Sequence, residues 1–549
     1  MYKVISFLTV CLFLAVCHSS HAKNDRPNII VILADDMGWS DIGAYGSEIP
    51  TPHLDRLAEN GLRYSQFYNS ARCSPSRASL LTGVYPHQAG LGYLESRSKP
   101  NSRGTHGKLL NRVVTIAEVL SDAGYFTAMS GKWHVGQTRG VPPWKRGFQR
   151  TMSSALGAIY YPDQKAKDDK GKLYIDGKAY ALNDPVFGKD WYISDLITEW
   201  GTKYIDEAKA KDKPFFLYLA HVAPHFPVMA PYDDVERFRT QYMKGWQYFR
   251  EQRFAKQKRL GLVDKGWTLP EPLPEVPDWG KLSQLSKERY DHIQAVYAAA
   301  VARLDQSIGN LVSHLKKVNE LDNTLILFLS DNGSSAEGGP LGKANGKPLG
   351  GPKSSVFVGM NWATLHDTPF QYFKHFTHEG GIATPFIAHW PKGIQKKLEG
   401  SIVHEPSHLI DVMATVVDIA EAKYPEKFNG HEILAMEGQT LLPHFNGKTM
   451  DRQTPIFFEH EGNRAVRDGK WKIVSKYHGP WRLFDMQADR TETQDLSSKY
   501  PKLVKKMESR YLAWAERCFV DTSKDNRPNY GSVWTAKNEN YIDRRIQQD

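Results

Sequence analysis

Residues 28–34 read NIIVILA, apolar at every position after Asn28 and β-branched at four of them, and Asp35 and Asp36 stand directly behind. A short run of this kind is buried on both faces, which places it inside a parallel sheet. The same grammar recurs along the chain. Residues 115–123 follow a helical pattern, with Thr115 and Glu118 spaced as a capping box and Gly124 as the stop, and a strand is predicted over 125–130. An amphipathic helix over 192–210 precedes a strand over 215–220. A long helix over 289–318 precedes the strand 324–330 (TLILFLS), and a further buried strand is predicted over 385–390. Alternating strands and helices specify an α/β fold, a large doubly wound mixed sheet flanked by helices.

Other segments interrupt this core. Asp176-Gly177 between short apolar runs over 173–180 signals a hairpin. Residues 232–287, rich in charge, aromatics and proline, read as a surface excursion, and the Gly-, Pro- and Lys-rich stretch 337–353 as a mobile loop. After about residue 450 the alternation ends. Strands are predicted over 456–459, 464–466, 471–474 and 481–484, and a helix over 502–517, as in a small antiparallel α+β domain.

The N-terminus has Lys3, then a nearly continuous apolar stretch over 4–16, then Ser20-His21-Ala22 as a cleavage site. This reads as a secretory signal peptide, too short for a spanning helix. Acylation of Cys17 is the alternative, disfavoured by Val16 before it. The division is then 1–22 signal peptide, 23–450 catalytic α/β domain and 451–549 small C-terminal domain, in an exported protein expected in the periplasm or secreted. Of four cysteines only Cys73 and Cys518 remain after cleavage, and no disulfide is expected. The net charge of +10 suits an anionic partner. No zinc-finger spacing, RNA-binding aromatic signature or basic helix points to nucleic acid.

Four predicted core strands end in polar clusters: Asp35-Asp36, Lys132-Trp133-His134, His221 with His225, and Asp331-Asn332. Ligand crevices of open α/β sheets lie beyond the carboxyl ends of the strands, so the four are expected to converge. Asp35, Asp36, Asp331 and Asn332 offer only hard oxygen ligands, which suit Ca²⁺ or Mg²⁺. Three crowded carboxylates require either a cation or raised pKa values.

Residues 73–83, CSPSRASLLTG, read as a helix start, with Ser74 as cap, Pro75 at the first helical position and Gly83 as the stop. Cys73 then stands at the positive end of a helix, with Arg77 one turn in. On these grounds Cys73 could be an activated thiolate or a buried thiol.

Cys-X-Pro-Ser-Arg followed by Leu-Thr-Gly resembles the signature of the type I, formylglycine-dependent sulfatases, of the alkaline-phosphatase-like superfamily. The resemblance extends to Asp35-Asp36, Gly131 to His134, Ala223-Pro224-His225, Asp331-Asn332-Gly333, and Lys374 ahead of Glu379-Gly380-Gly381. It covers residues 27 to about 395, and 483–496 resemble the family's small domain. It implies that a maturation enzyme oxidises Cys73 to Cα-formylglycine, whose hydrated aldehyde is the nucleophile. It also implies that Asp35, Asp36, Asp331, Asn332 and modified Cys73 bind a divalent cation, usually calcium. Arg77 steadies the hydrate, Lys132 and Lys374 hold sulfate oxygens, His225 is the general acid and His134 the base that breaks the sulfated intermediate. His221 is given either a positioning role toward substrate or a purely structural one.

Export, positive charge and 14 tryptophans fit a sulfated carbohydrate. Contacts to it are expected from 232–287 and from the stretch His460-Glu461-Gly462-Asn463-Arg464, above all His460, Asn463 and Arg464, by position alone. The rival readings are a phosphodiesterase or phosphonate monoester hydrolase of the same superfamily, and a non-catalytic calcium-dependent glycan-binding protein.

Overall fold

The computed structural model describes residues 26–97, 102–155, 157, 159–164 and 171–522, so the segment 1–22, with Cys11 and Cys17, lies outside the described residues. One mixed sheet forms the centre. In spatial order it runs Ile402–Val403, Leu62–Tyr68, Ala383–His389, Thr324–Ser330, Asn28–Ala34, Phe215–Ala220, Phe126–Lys132, Arg150–Ser154, Lys172–Ile175, Lys178–Ala181. The five strands from Thr324–Ser330 to Arg150–Ser154 are parallel. Ala383–His389 is antiparallel to both neighbours, and the hairpin about Asp176-Gly177 extends the far edge.

The continuous apolar runs found their reason in packing on both faces. Ile30, Ile32 and Ala34 face the helices Ile193–Ala210 and Gln284–Lys317, while Ile29, Val31 and Leu33 face Cys73–Thr82, Ile116–Asp122 and Ile410–Ile419. The capping box at Thr115 is present: its hydroxyl accepts from the Glu118 amide and its own amide donates to the Glu118 carboxylate. The long helix starts five residues earlier than predicted, because Ser283 caps it by accepting from the Ser286 amide at 3.2 Å.

Three segments depart from the sequence reading. The excursion over 232–287 contains a 16-residue helix, Gly245–Leu260, whose buried face includes Arg253 and Gln257. Arg253 pairs with Asp41 and Glu48, each at 2.8 Å, so this face is polar and carries no apolar periodicity. The strand Leu62–Tyr68 was hidden by its polar residues Arg63, Ser65 and Gln66. The stretch read as a mobile loop pairs Lys343–Asn345 with Ser355–Phe357.

The C-terminal sheet is antiparallel in the order Ile456–His460, Asn463–Asp468, Trp471–Ser475, Arg482–Asp485. Val466, Ile473 and Leu483 pack on the helix Pro501–Arg517. The opposite face, with Phe458, Ala465, Val474 and Phe484, packs on Tyr68, Ala71 and Ile382 of the large body. Cys73 and Cys518 are both buried and unpaired with each other.

Asp305, on the long helix, accepts the amides of His53 and Leu54 at the start of the helix Pro52–Glu59. Burial pushes its carboxyl up to about 7 against these hydrogen bonds. A raised folded-state pKa stabilises the fold fully below the unfolded value of about 4, and that contribution is lost as pH rises through 7. Urea unfolding of Asp305→Asn should therefore shift in the variant's favour relative to wild type between about pH 4 and 7. Parallel stability–pH curves for the two proteins would contradict this.

Candidate active site

The polar clusters converge at the carboxyl ends of the parallel strands. Asp35 and Asp36 follow the central strand and are buried, Asp36 with its backbone in the left-handed region (φ 65°). The Asp36 amide donates to Asp331 Oδ1 at 3.3 Å, which ties the ends of two neighbouring strands together. Lys132 is the last residue of its strand, two residues later than predicted, and its Nζ lies 2.5 Å from Asp35 Oδ2. Lys374 Nζ reaches both oxygens of Asp36, at 2.6 and 2.8 Å.

Cys73 is the first residue of its helix, with Arg72 in the capping position. Ser74 is not the cap: its hydroxyl accepts from the Glu95 amide at 3.3 Å, and Pro75 is the third helical residue. Cys73 nevertheless sits where the free amides of a helix start attract negative charge. Arg77, fully buried one turn on, binds Asp331 Oδ2 through Nε and Nη2 at 3.0 and 2.9 Å, and lies 3.4 Å from Asp35. Its Nη1 donates to the Lys132 carbonyl at 2.9 Å.

Ligand atoms of Asp35, Asp36, Cys73 and His225 all lie within 4.8 Å of one another. Asn332 joins them through Nδ2, 2.7 Å from Asp36 Oδ1. Asp331 stands behind, against Arg77. Asp35 Oδ1 and Asn332 Oδ1 are buried oxygens with no hydrogen-bond donor. Orphaned buried acceptors are rare, and two hard ones beside Asp36 fit a divalent cation. Burial pushes the Asp35 carboxyl up, but Lys132, His225, Arg77 and Lys374 outweigh it and hold it well below the usual carboxylate range. Asp331, buried and facing the charge of Asp35, is pushed up to about 7. Three carboxylates thus meet three cationic side chains, Arg77, Lys132 and Lys374.

The histidines differ. His225 Nε2 lies 3.6 Å from Asp36 Oδ2, and the Tyr160 hydroxyl fixes its backbone by donating to its carbonyl at 2.6 Å. His134 has left-handed backbone (φ 56°) and an Nδ1 without a partner. Burial, then Lys132 and Arg77, hold it well below the ordinary histidine range, so it is neutral. His221 is fully buried, neither ring nitrogen has a partner, and burial pushes it down to about 3.

The three positions offered by the C-terminal sheet separate. His460 is buried and lies near His375. Asn463 Nδ2 donates to the His375 carbonyl at 3.2 Å, which places it behind Lys374. Arg464 points to the other face of the sheet, stacked 4.4 Å over Trp481 and facing Tyr511 of the last helix, away from Cys73. The structure also adds Arg72, Glu337 and His375, which the sequence reading passed over. Adjacency to Cys73 and Lys374 was the available signal for Arg72 and His375, and Glu337 had none.

The sulfatase family profile matches residues 27–422, and that of the N-sulphoglucosamine sulphohydrolase C-terminal region matches 369–516. An arylsulfatase of Klebsiella aerogenes is 34% identical over 437 residues, covering 76% of this chain and 92% of that protein. The N-acetylgalactosamine-6-sulfatase of Mus musculus is 29% identical over 486 residues, covering 86% and 76%. The crystal structure of Ps i-CgsB in complex with k-i-k-neocarrahexaose superposes with a TM-score of 0.66 at 27% identity, covering 95% of this chain and 98% of that one. The matched span contains Asp35-Asp36, Asp331-Asn332, the Cys73 helix, both lysines and His225, so the chain belongs to the sulfatase family and hydrolyses sulfate esters.

Proposed function

We propose that the chain removes sulfate from a sulfated carbohydrate, using a Cα-formylglycine made from Cys73 by a maturation enzyme and a divalent cation, calcium or magnesium. The observation that carries this reading is the gathering of Cys73, Lys132, Lys374 and His225 around two donorless buried oxygens, those of Asp35 and Asn332. Asp35, Asp36, Asp331 and Asn332 would hold the cation, with residue 73 completing the set. When bound, the cation adds two positive charges to a site whose side chains otherwise cancel, and so favours a sulfate and the charge that develops on it.

The chain's own residues supply the rest. Lys132 and Lys374 orient the sulfate oxygens. One hydroxyl of the hydrated aldehyde gives its proton to a neighbouring aspartate of the cluster and attacks sulfur as the ester S–O bond breaks, and His225 gives the leaving alcohol its proton. His134, kept neutral by its surroundings, then takes the proton of the remaining hydroxyl. The C–O bond to sulfate breaks, sulfate leaves, and the aldehyde returns to be rehydrated by water. A serine or cysteine ester has no second hydroxyl and no such exit. Arg77 positions Asp331, Asp35 and the Lys132 backbone.

The carbohydrate reading is supported by the sugar-directed names of the mouse relative and of the Ps i-CgsB complex. The leader over 1–22 supports export, to the periplasm or beyond. No helix of the described residues is long and apolar enough to cross a membrane. The direct test is a screen of sulfated oligosaccharides for sulfate release, run beside aryl phosphate and phosphonate esters. Faster turnover of the phosphorus esters would favour the rival reading.

His225→Ala should lower kcat/KM about 10²–10⁴-fold for a sulfated sugar, whose alcohol leaves poorly without a proton. For 4-nitrophenyl sulfate, whose phenol leaves well without a proton, the loss should be at least about tenfold smaller. Equal losses on both substrates would remove His225 from the acid role.

A further inference from the structure

The helix Gly359–His366 ends at Asp367, whose amide donates to the Ala363 carbonyl at 3.1 Å. The Asp367 side chain is fully buried and bonds to two other segments. Its Oδ1 accepts the Trp39 amide at 3.3 Å and the Ser334 amide at 3.1 Å, and Oδ2 shares the Ser334 amide at 3.1 Å. Trp39 lies three residues past Asp36, and Ser334 two past Asn332. The Ser334 carbonyl in turn accepts the Lys374 amide at 3.1 Å. One carboxyl group thus joins the two turns that follow the strands Asn28–Ala34 and Thr324–Ser330, and through Ser334 it bears on Lys374.

His366 repeats the pattern. Its carbonyl accepts the Ser40 amide at 2.9 Å, and its Nδ1 lies 2.8 Å from the Ser334 hydroxyl. The first turn passes so close to the helix end that a Cβ on Gly38 would stand 2.4 Å from the His366 carbonyl oxygen. A smaller tie of the same kind is the Ser330 hydroxyl, which accepts the Met37 amide at 3.1 Å and donates to the Asn332 carbonyl at 3.0 Å. The chemistry above uses none of these side chains. Buried polar groups are costly unless paired, and here the pairing converges on the two turns that carry Asp36 and Asn332.

We propose that Asp367 is a positioning residue for the divalent cation, clamping the turns of Asp36 and Asn332 at one spacing. The inference rests on the cation reading above. Because the two ligands sit on separate turns, an ion meeting them loose would lose binding energy to the cost of ordering them. Groups that orient metal ligands from behind typically set about 10–100-fold in affinity. Burial, against the Ser334 amide, pushes the Asp367 carboxyl well above the usual range. Asparagine keeps the Oδ1 that receives both amides, whereas alanine removes it.

The matured full-length enzyme and its variants are stripped of divalent ions with a chelator and titrated separately with calcium and magnesium by calorimetry. Hydrolysis of 4-nitrophenyl sulfate is followed across the same ion series. Asp367→Ala should bind the ion preferred by wild type about 10–100-fold more weakly, while Asp367→Asn stays within about threefold of wild type. The kcat of Asp367→Ala should recover toward wild type as the ion is raised past its weakened Kd. A purely structural role would lower the unfolding temperature and leave ion affinity unmoved. That result, or equal weakening in the alanine and asparagine variants, overturns the clamp alone. If Asp367→Ala does not fold, Asp367→Ser carries the same expectation, since its hydroxyl stops one bond short of Oδ1. Wild type that binds neither calcium nor magnesium overturns the cation reading and the clamp together.

Discussion

Cys73→Ala should lose all measurable sulfate release, a fall of more than about 10⁴-fold, while keeping its thermal unfolding within a few degrees of wild type. The stability expectation follows from size. Cys73 is buried, but its side chain is small, and its helix is held by other groups: Arg77 on Asp331 and Asp35, Ser76 accepting the Ser70 amide at 2.9 Å, and Gly83 closing the far end in the left-handed region. The activity expectation follows from the exit step, because alanine offers neither an oxygen to attack sulfur nor a second hydroxyl to expel the product. Cys73→Ser retains a hydroxyl and separates the two requirements. It should accept sulfate at most once and then stall, which mass measurement of the protein after incubation with substrate can detect. Turnover in either variant near the wild-type rate would remove residue 73 from the chemistry.

The largest structural effect is expected at Glu379. This fully buried carboxylate joins the two parts of the molecule: Lys472 Nζ lies 2.8 Å from Oε1, Arg490 Nε 2.7 Å from Oε2, and the Tyr68 hydroxyl donates to Oε2 at 3.1 Å. Lys472 also reaches Glu492 at 2.8 Å, and Glu492 in turn accepts the Glu379 amide at 2.9 Å. Burial alone pushes the Glu379 carboxyl up, yet Lys472 and Arg490 bring it below the usual range. Glu379→Ala leaves two buried cations against one carboxylate. Breaking a buried pair in this way costs about 3–5 kcal/mol, which should appear as a lower urea midpoint with an unchanged slope. The segment between Lys374 and Glu379 is short, so activity should fall as well, and Glu379→Gln should recover part of both losses. A change in stability below about 1 kcal/mol would mean that the cluster does not hold the C-terminal sheet against the catalytic body.

Much of this was legible because hydrophobic burial and special chemistry coincide at strand ends. The runs 28–34, 215–220 and 324–330 are apolar at nearly every position, so their carboxyl ends, and the residues just beyond them, could be located to within a residue. The order of the strands in space and the antiparallel Ala383–His389 depend on contacts between residues far apart in the chain, such as Ala383 with Tyr68 and Phe386 with Leu329, and no local pattern encodes them. The helix Gly245–Leu260 escaped because charge pairing, not apolar packing, fixes Arg253 on Asp41 and Glu48. Arg464 was placed near substrate from its position after a turn. In a strand the two faces alternate, and a one-residue difference sends Asn463 toward His375 and Arg464 toward Trp481.

The state of residue 73 in active enzyme bears on the proposed chemistry more directly than any substitution. Purified, sulfate-releasing protein should be digested with trypsin and the mass of the peptide spanning residues 73–77 measured. The expected peptide carries an aldehyde, having lost one sulfur and two hydrogens and gained one oxygen relative to the thiol, and it reacts with a hydrazide reagent. Fully active enzyme whose residue 73 remains an alkylatable thiol would contradict the mechanism.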